Sequence, residues 1–357
     1  MFFTVFVVAI TLTYCFLILH FVSGWDGLPE EKTNDETGNL FVSVVIPFRN
    51  EAENLPHLLE KIAAQTYRNF ELILVNDHSS DEFKIQDSTC KLINAQGFGK
   101  KSALKEGIAQ ARGELIVCTD ADCLPSANWL KSIVQFAEKS QAGLIICPVR
   151  LASPHSVFEK LQTLEFVSLI VSGAGAAAVG MPILCNGANL AFRPETWQKS
   201  LDELAENEVS GDDMFLLIST KRRGEKIAFL KSRDAMLETS PCKTLSDFFN
   251  QRKRWAGKAK SYTDWQILSV SSLVFALSAL QVGFFAAGFF SPNLWKTAAA
   301  IWLIKTAADT CLLFRARRFF AITPLLKFIP VLSVVYPFYV LWAAVGGLFG
   351  HFRWKER

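Results

Sequence analysis

None of the 8 cysteines forms a C-x-x-C pair. Thiols scattered in this way offer neither a zinc site nor a disulfide framework, and they read as reduced thiols in a cytosolic domain and in bilayer helices. No G-x-G-x-x-G follows the first apolar run, which argues against a dinucleotide dehydrogenase. Charge of neither sign dominates: 37 Lys and Arg against 34 Asp and Glu leave +3, too little to argue for a nucleic-acid partner. Residues Phe2 to Val22 carry no charged side chain, and the stretch is long enough to cross a bilayer core. A cleaved signal peptide would need a basic n-region and a small-residue cleavage site, and neither is visible. The stretch therefore reads as a retained anchor over 1–24, with Trp25 where an interfacial aromatic belongs.

What is present is apolar: hydrophobic residues make up 50% of the chain, above what a purely soluble protein needs. A polar link over 25–40 leads into alternating strand and helix over 41–262. Val42 to Pro47 reads as a buried strand stopped by proline, and Asn50 to Gln65 has helical spacing at Leu55, Leu58, Leu59 and Ile62. Phe70 to Val75 is a second strand, Ser102 to Ala111 a helix, and Leu115 to Cys118 a third strand. Trp129 to Lys139 predicts a surface helix, and Ala142 to Val149 a further strand. Phe158 to Gly180 is apolar but interrupted by Glu159, Lys160 and Glu165, so a membrane-surface helix or plain core fits it better than a span. The alternation predicts a parallel α/β sheet with a ligand crevice at the strand ends.

The stretch Gly113 to Pro125 organises this reading. Its apolar run ends abruptly in Asp120-Ala121-Asp122, which points hard oxygens into the space where such sheets collect ligands. These suit Mg²⁺ or Mn²⁺ held by one or two carboxylates plus substrate phosphates, a solvated turn being the alternative. Asp212 and Asp213 open a predicted helix that ends near Gly224. They read either as dipole partners of the helix or as a pair in which repulsion and partial burial raise one carboxyl into the range of a general base. The basic segment Phe248 to Lys260 meets either anionic lipid or a crevice, where Arg254 faces phosphate and Trp255 floors a sugar ring.

Over 263–357 lie three apolar stretches, Ile267 to Phe290, Thr297 to Phe314 and Phe328 to Phe349. The middle one carries Lys305 and Asp309, an i,i+4 pair that can face other helices. Arg315, Arg317 and Arg318 mark a cytoplasmic loop, so the α/β domain is placed in the cytoplasm. Four crossings would put both termini outside, against the basic end 351–357. Two to three C-terminal spans are therefore expected, one stretch being re-entrant or interfacial.

In order, the motifs are Val45-Ile46-Pro47-Phe48-Arg49-Asn50-Glu51, Asn76-Asp77 with Ser79 and Asp81, Gly99-Lys100, Asp120-Ala121-Asp122, Asn186-Gly187-Ala188-Asn189, Gly211-Asp212-Asp213 and Gln251-Arg252-Lys253-Arg254-Trp255. Across about 40–260 this order resembles the membrane-bound family 2 glycosyltransferases with the GT-A fold, a group that holds the cellulose, chitin and hyaluronan synthases, the chitin-oligosaccharide synthases and ceramide glucosyltransferase. The resemblance implies a nucleotide pocket lined by Pro47 and Glu51. It implies that Asp77 bonds the base, most often uracil, and that Lys100 lies near the nucleotide. Asp120 and Asp122 would hold Mg²⁺ or Mn²⁺ on the diphosphate, and Asp213 would be the base. Gln251, Arg254 and Trp255 would contact the diphosphate and the acceptor end, with Asn189 and Asp212 also on the acceptor side.

The implied function is inverting, metal-dependent transfer from a nucleotide-diphosphate sugar, with UDP expected, to a membrane lipid or growing saccharide at the inner membrane. A processive polysaccharide synthase is the alternative, against which few transmembrane helices argue. A catalytically silent donor-binding subunit is a third reading, and the presence of every motif acid speaks against it. A transporter would need its site at mid-bilayer.

Overall fold

Apolar runs that pair along their whole length build the sheet. In this computed structural model, which describes residues 2–36, 38–83, 90–201 and 212–349, the chain forms two units by its contacts. One is a sheet unit, Leu28–Ala152 with Leu184–Ser240; the other is a helical unit, Met1–Gly27, Ser153–Ile183 and Pro241–Arg357. Gly211 and the basic end 351–357 lie outside the described residues, as does the side chain of Asp212.

In the sheet unit, β1 (Val42–Phe48) is buried at every position. It pairs in parallel with β2 (Phe70–Asn76) on one side and with β4 (Leu115–Thr119) on the other, while β3 (Cys90–Asn94) extends the edge beyond β2. Pro47 does not end β1. The pairing with β4 stops at Val45↔Cys118, so the amide that proline lacks falls where that neighbour has already left the ladder. Helices α2 (Leu55–Ala63), α3 (Lys100–Ala109) and α4 (Trp129–Ser140) bury Leu55, Leu58 and Ile62, Leu104 and Ile108, and Leu130 and Ile133 respectively. Burial of this kind stabilises by roughly 1.5–3 kcal/mol per large side chain. A Cβ on Gly107 would meet Val45 Cγ1 and Val75 Cγ2 at 2.7 Å, so α3 lies directly against β1 and β2 only because that position is glycine.

Two expectations about this sheet need correction. The strand predicted over 142–149 is two strands, β5 (Leu144–Ile146) and β6 (Val149–Leu151), divided at Pro148. β5 stays in the main sheet, whereas β6 pairs in parallel with β9 (Leu237–Thr239) in a separate ribbon. The sheet is also mixed rather than parallel. β7 (Asn189–Phe192) runs antiparallel between β4 and β5, and β8 (Ile227–Phe229) closes the order β3-β2-β1-β4-β7-β5-β8. The chain re-enters the sheet at Asn189 opposite Thr119, the carboxyl end of β4, and from there it can only run the other way.

The helical unit contains α1 (Phe2–Gly27), α5 (Val157–Ala178), α8 (Leu245–Gly257), α9 (Trp265–Ala287), α10 (Leu294–Ala316) and α11 (Ile329–Phe349). α1, α5, α9, α10 and the segment containing α11 are long and apolar enough to cross a membrane, which suggests membrane association. α5 packs on α1 so closely that a Cβ on Gly24 would meet the Gly175 carbonyl oxygen at 2.2 Å, and one on Gly175 the Phe21 carbonyl oxygen at 2.0 Å. Packing with α1 is what draws Ser153–Ile183 out of the span 41–262 expected for the α/β domain. α5 cannot be a single crossing, because β4 before it and β7 after it pair in one sheet. One passage through a bilayer would leave those strands on opposite faces. Its start is fixed by a capping box in which Ser156 accepts from the Glu159 amide and Glu159 accepts from the Ser156 amide. The predicted i,i+4 pair is formed on α10: Lys305 Nζ meets Asp309 Oδ2 at 2.5 Å, and the Tyr14 hydroxyl donates to Asp309 Oδ1 at 2.6 Å.

Candidate active site

The loops that follow β1 and β2 are laced together. Asn50, held in the left-handed region at φ 52°, donates its amide to Ser79 Oγ at 3.0 Å and accepts from the Ser80 amide at 2.8 Å. The Ala52 amide donates to Asp81 Oδ2 at 2.7 Å, and the Asp77 amide to the Phe48 carbonyl at 2.8 Å. Asp77 is 1% exposed. Its Oδ1 accepts from the Gly99 amide at 2.9 Å, while Oδ2 is buried with no hydrogen-bond partner among the described residues. A buried carboxylate oxygen without a donor is costly, so this atom is suited to a group supplied from outside. Pro47 is buried within β1, one residue before Phe48.

Gly99, at φ 93°, turns the chain into α3 and presents Lys100, whose ammonium is ion-paired with Asp120 just past the end of β4. Asp122 follows in the same turn. Its surface meets solvent, yet protein crowds around it. That crowding, then the charges of Asp120 and Glu51, push its carboxyl above the ordinary value. The Thr239 hydroxyl, donating to Asp122 Oδ2 at 3.2 Å, and Lys100 offset part of this. A carboxylate whose proton affinity is raised by negative neighbours is what a divalent cation relieves. Among the described residues no three His, Cys, Asp or Glu side chains are grouped as a closed metal site. The donor set fits a cation that takes one or two carboxylates here and its other ligands from phosphate oxygens.

Asp213, at the start of α7 (Asp212–Arg222), is carried to the same end of the sheet by another route. The Gly187 amide donates to Asp213 Oδ2 at 3.0 Å, and Asp213 Oδ1 accepts from the Met214 amide at 2.9 Å. Gly187 lies two residues before Asn189, which pairs with Thr119, the residue before Asp120. The antiparallel register therefore brings Asp213 and Asp120 to one edge. A Cβ on Gly187 would sit 3.3 Å from the Asp213 Cβ, so that glycine gives the carboxylate its room.

Asn189 does not reach an acceptor, contrary to the expectation. It is fully buried, accepts from Trp129 Nε1 at 3.0 Å, and donates to the Pro148 and Ala235 carbonyls at 2.7 and 2.8 Å. All its bonding is spent tying α4 and the β5–β6 junction to β7. Gln251, Arg254 and Trp255 lie on α8 of the helical unit, whose first turn is capped by Thr244 accepting from the Asp247 amide at 3.1 Å. Thr239, which touches Asp122, carried no sequence signal: it ends a three-residue strand more than 100 positions further along the chain.

Residues 43–194 match the family model described as Glycosyl transferase family 2. The glycosyltransferase GlyG of Streptococcus pneumoniae is 32% identical over 113 residues, 29% of this chain and 38% of that protein. The poly-beta-1,6-N-acetyl-D-glucosamine synthase of Staphylococcus epidermidis is 30% identical over 138 residues, 36% of this chain and 33% of that protein. The matched region thus spans little more than a third of these relatives. Among solved structures, the mannosyltransferase PcManGT of Pyrobaculum calidifontis, in complex with GDP-Man and Mn²⁺, aligns with a TM-score of 0.60 at 20% identity, covering 96% of this chain and 98% of that one. That likeness is one of fold, a GT-A glycosyltransferase fold.

Proposed function

We propose that this chain, whose residues 43–194 form a family 2 glycosyltransferase domain, is an inverting transferase that moves a sugar from a nucleotide-diphosphate donor to a membrane lipid or growing saccharide. The observation that carries this reading is the arrival of Asp213 at the edge where Asp120 and Glu51 already act on Asp122. The carboxylates after β4 suit a cation on the donor diphosphate, and Asp213 stands apart from them in the chain with its own amide partners.

The acceptor hydroxyl is a poor nucleophile until Asp213 takes its proton. The Gly187 amide on Oδ2 and the Met214 amide on Oδ1 hold the Asp213 carboxylate in a fixed orientation for that step. The acceptor oxygen then bonds to the anomeric carbon as the bond to the leaving phosphate oxygen breaks, on the opposite face, so the configuration inverts. Mg²⁺ or Mn²⁺ held by Asp120 and Asp122 would neutralise the charge that builds on the diphosphate. Arg254 takes the same charge from the protein side, with Gln251 on the diphosphate and Trp255 at the acceptor end. Asp77 Oδ2 accepts from the base, for which a uracil N–H is suited; Pro47 and Glu51 line the nucleotide, and Lys100 lies beside it. Asp212 belongs to the acceptor side. The enzyme is placed as a multi-pass protein of the inner membrane with its sheet unit in the cytoplasm, on the side of Arg315, Arg317 and Arg318. A guanine nucleotide is the second donor reading, because the full-length fold neighbour carries GDP-Man.

Membranes containing the full chain, incubated with radiolabelled UDP-glucose, UDP-N-acetylglucosamine and GDP-mannose, test this with and without chelator. Transfer from one donor, lost with EDTA and restored by Mn²⁺ or Mg²⁺, is expected. One sugar per acceptor separates a lipid or short acceptor from the ladder of a processive synthase. Asp213→Asn should keep nucleotide binding and lose about 10²–10⁴-fold of transfer. Normal turnover by that variant removes Asp213 from the mechanism.

A further inference from the structure

One residue inside the Gln-x-x-Arg-Trp segment has the contacts of an organiser. Arg252, an unspecified position in that motif, is 4% exposed, whereas Gln251, Arg254 and Trp255 on either side are only half-buried. Its guanidinium is ion-paired with Glu165 of α5, itself 2% exposed. The Tyr339 hydroxyl of α11 donates to the other Glu165 oxygen at 3.1 Å. A second Arg252 nitrogen, Nη1, donates to Gln251 Oε1 at 2.8 Å. The flat face of the same guanidinium lies 4.1 Å from the Trp255 ring centre and 4.7 Å from that of Phe248. One planar group thus holds two of the three motif side chains while anchored to two other helices. Only arginine can do this, since lysine has neither the fork nor the stacking face. The arrangement leaves Arg252 Nε buried without a hydrogen-bond partner among the described residues. A packing role alone gives no reason to accept that cost, because an apolar pair of similar volume commonly serves a buried site as well or better.

We propose that Arg252 is a positioning residue for transfer: through one guanidinium it sets the Gln251 amide and the Trp255 indole, with Glu165 and Tyr339 as its fixed seat. The proposal rests on the function proposed above for Gln251 and Trp255. It makes α5 and α11 part of what tunes the reaction, although neither carries a motif residue.

The test replaces the ion pair by apolar side chains, Arg252→Met with Glu165→Leu, in the full chain, and beside it makes Arg252→Lys alone, which keeps the charge for Glu165. Transfer is read against thermal unfolding in detergent, and 5-fluorotryptophan labelling gives a fluorine resonance for Trp255, assigned by Trp255→Phe. Both variants are expected to unfold within a few degrees of the wild type, to shift or broaden the Trp255 resonance, and to lose on the order of 10- to 100-fold in kcat/KM, as a misplaced binding group does. In a Gln251→Ala, Trp255→Ala background the same replacements should cost less than about twofold more, because residues acting through one another are not additive. Wild-type kcat/KM in both variants, a full further loss in that background, or an unmoved Trp255 resonance overturns the proposal. If the apolar pair fails to fold, the lysine variant decides alone. Absence of transfer by the wild type from any donor would defeat the transferase reading instead, and the fluorine resonance would still judge the positioning.

Discussion

In the sheet unit, burial and the charges of Asp120 and Glu51 raise the proton affinity of Asp122, while Lys100 pairs with Asp120. In the helical unit, Lys305 closes on Asp309 and Arg252 on Glu165, with aromatic rings around them. Ionised side chains are costly in both places. Like charges gathered at strand ends gain by recruiting something from solution, a cation or a phosphate-bearing ligand. Opposite charges enclosed among apolar helices are already neutralised, and what they supply is geometry. An ionisable residue is therefore read by the sign of its neighbours as much as by its burial.

The contrast can be broken at either end. The largest stability effect is expected from Lys305→Met, which leaves Asp309 with the Tyr14 hydroxyl but without its paired charge and should cost about 3 kcal/mol. Adding Asp309→Leu should return most of that, read as unfolding in detergent. An equal loss in single and double variants would show that the pair is not self-contained. In the sheet unit, Asp77→Asn keeps an acceptor for the Gly99 amide but turns Oδ2 into a donor. Binding of UDP with Mn²⁺, followed by calorimetry, should weaken by about 1–3 kcal/mol. Unchanged affinity would mean that Asp77 serves the loop alone. Gly187→Ala sharpens the comparison by geometry without charge. Its methyl, 3.3 Å from the Asp213 Cβ, should lower kcat about tenfold with little change in unfolding temperature.

The smallest effect is opposite in sign to the lysine variant. Asp122 has a raised carboxyl value, so the stability it contributes is present at acid pH and is lost as pH rises through the folded value. At neutral pH Asp122→Asn should thus raise the unfolding temperature slightly in chelator and diminish the shift that Mn²⁺ produces. A fall in chelator would show that Asp122 is held by partners rather than strained by like charge.

The sequence was legible where an apolar run stops at an acid. β1, β2 and β4, and with them Asp77, Asp120 and Asp122, fall within a residue or two of their expected places. β3 was not legible: Cys90 to Asn94 is a half-exposed edge without an apolar run. The direction of β7 was hidden because it follows from where the chain re-enters the sheet, which no local pattern records. Asn189 misled for a related reason. It sits in a motif beside Gly187, but the register turns its side chain into the interior, where Trp129 and two carbonyls take it up. Thr239 and Arg252 act through partners distant in the chain, and single positions carry no mark of that.

The bare backbone crossing at Gly24 and Gly175 bears on how the protein can be handled. Trimming the first helix, a customary route to a soluble fragment, would strip away the surface that α5 lies on and leave an unfilled furrow along it. An alanine at either glycine would wedge the two rods apart. Purification is thus tied to a detergent or nanodisc that keeps the leading segment in place, and a screen for tolerated tags belongs at sites remote from that furrow.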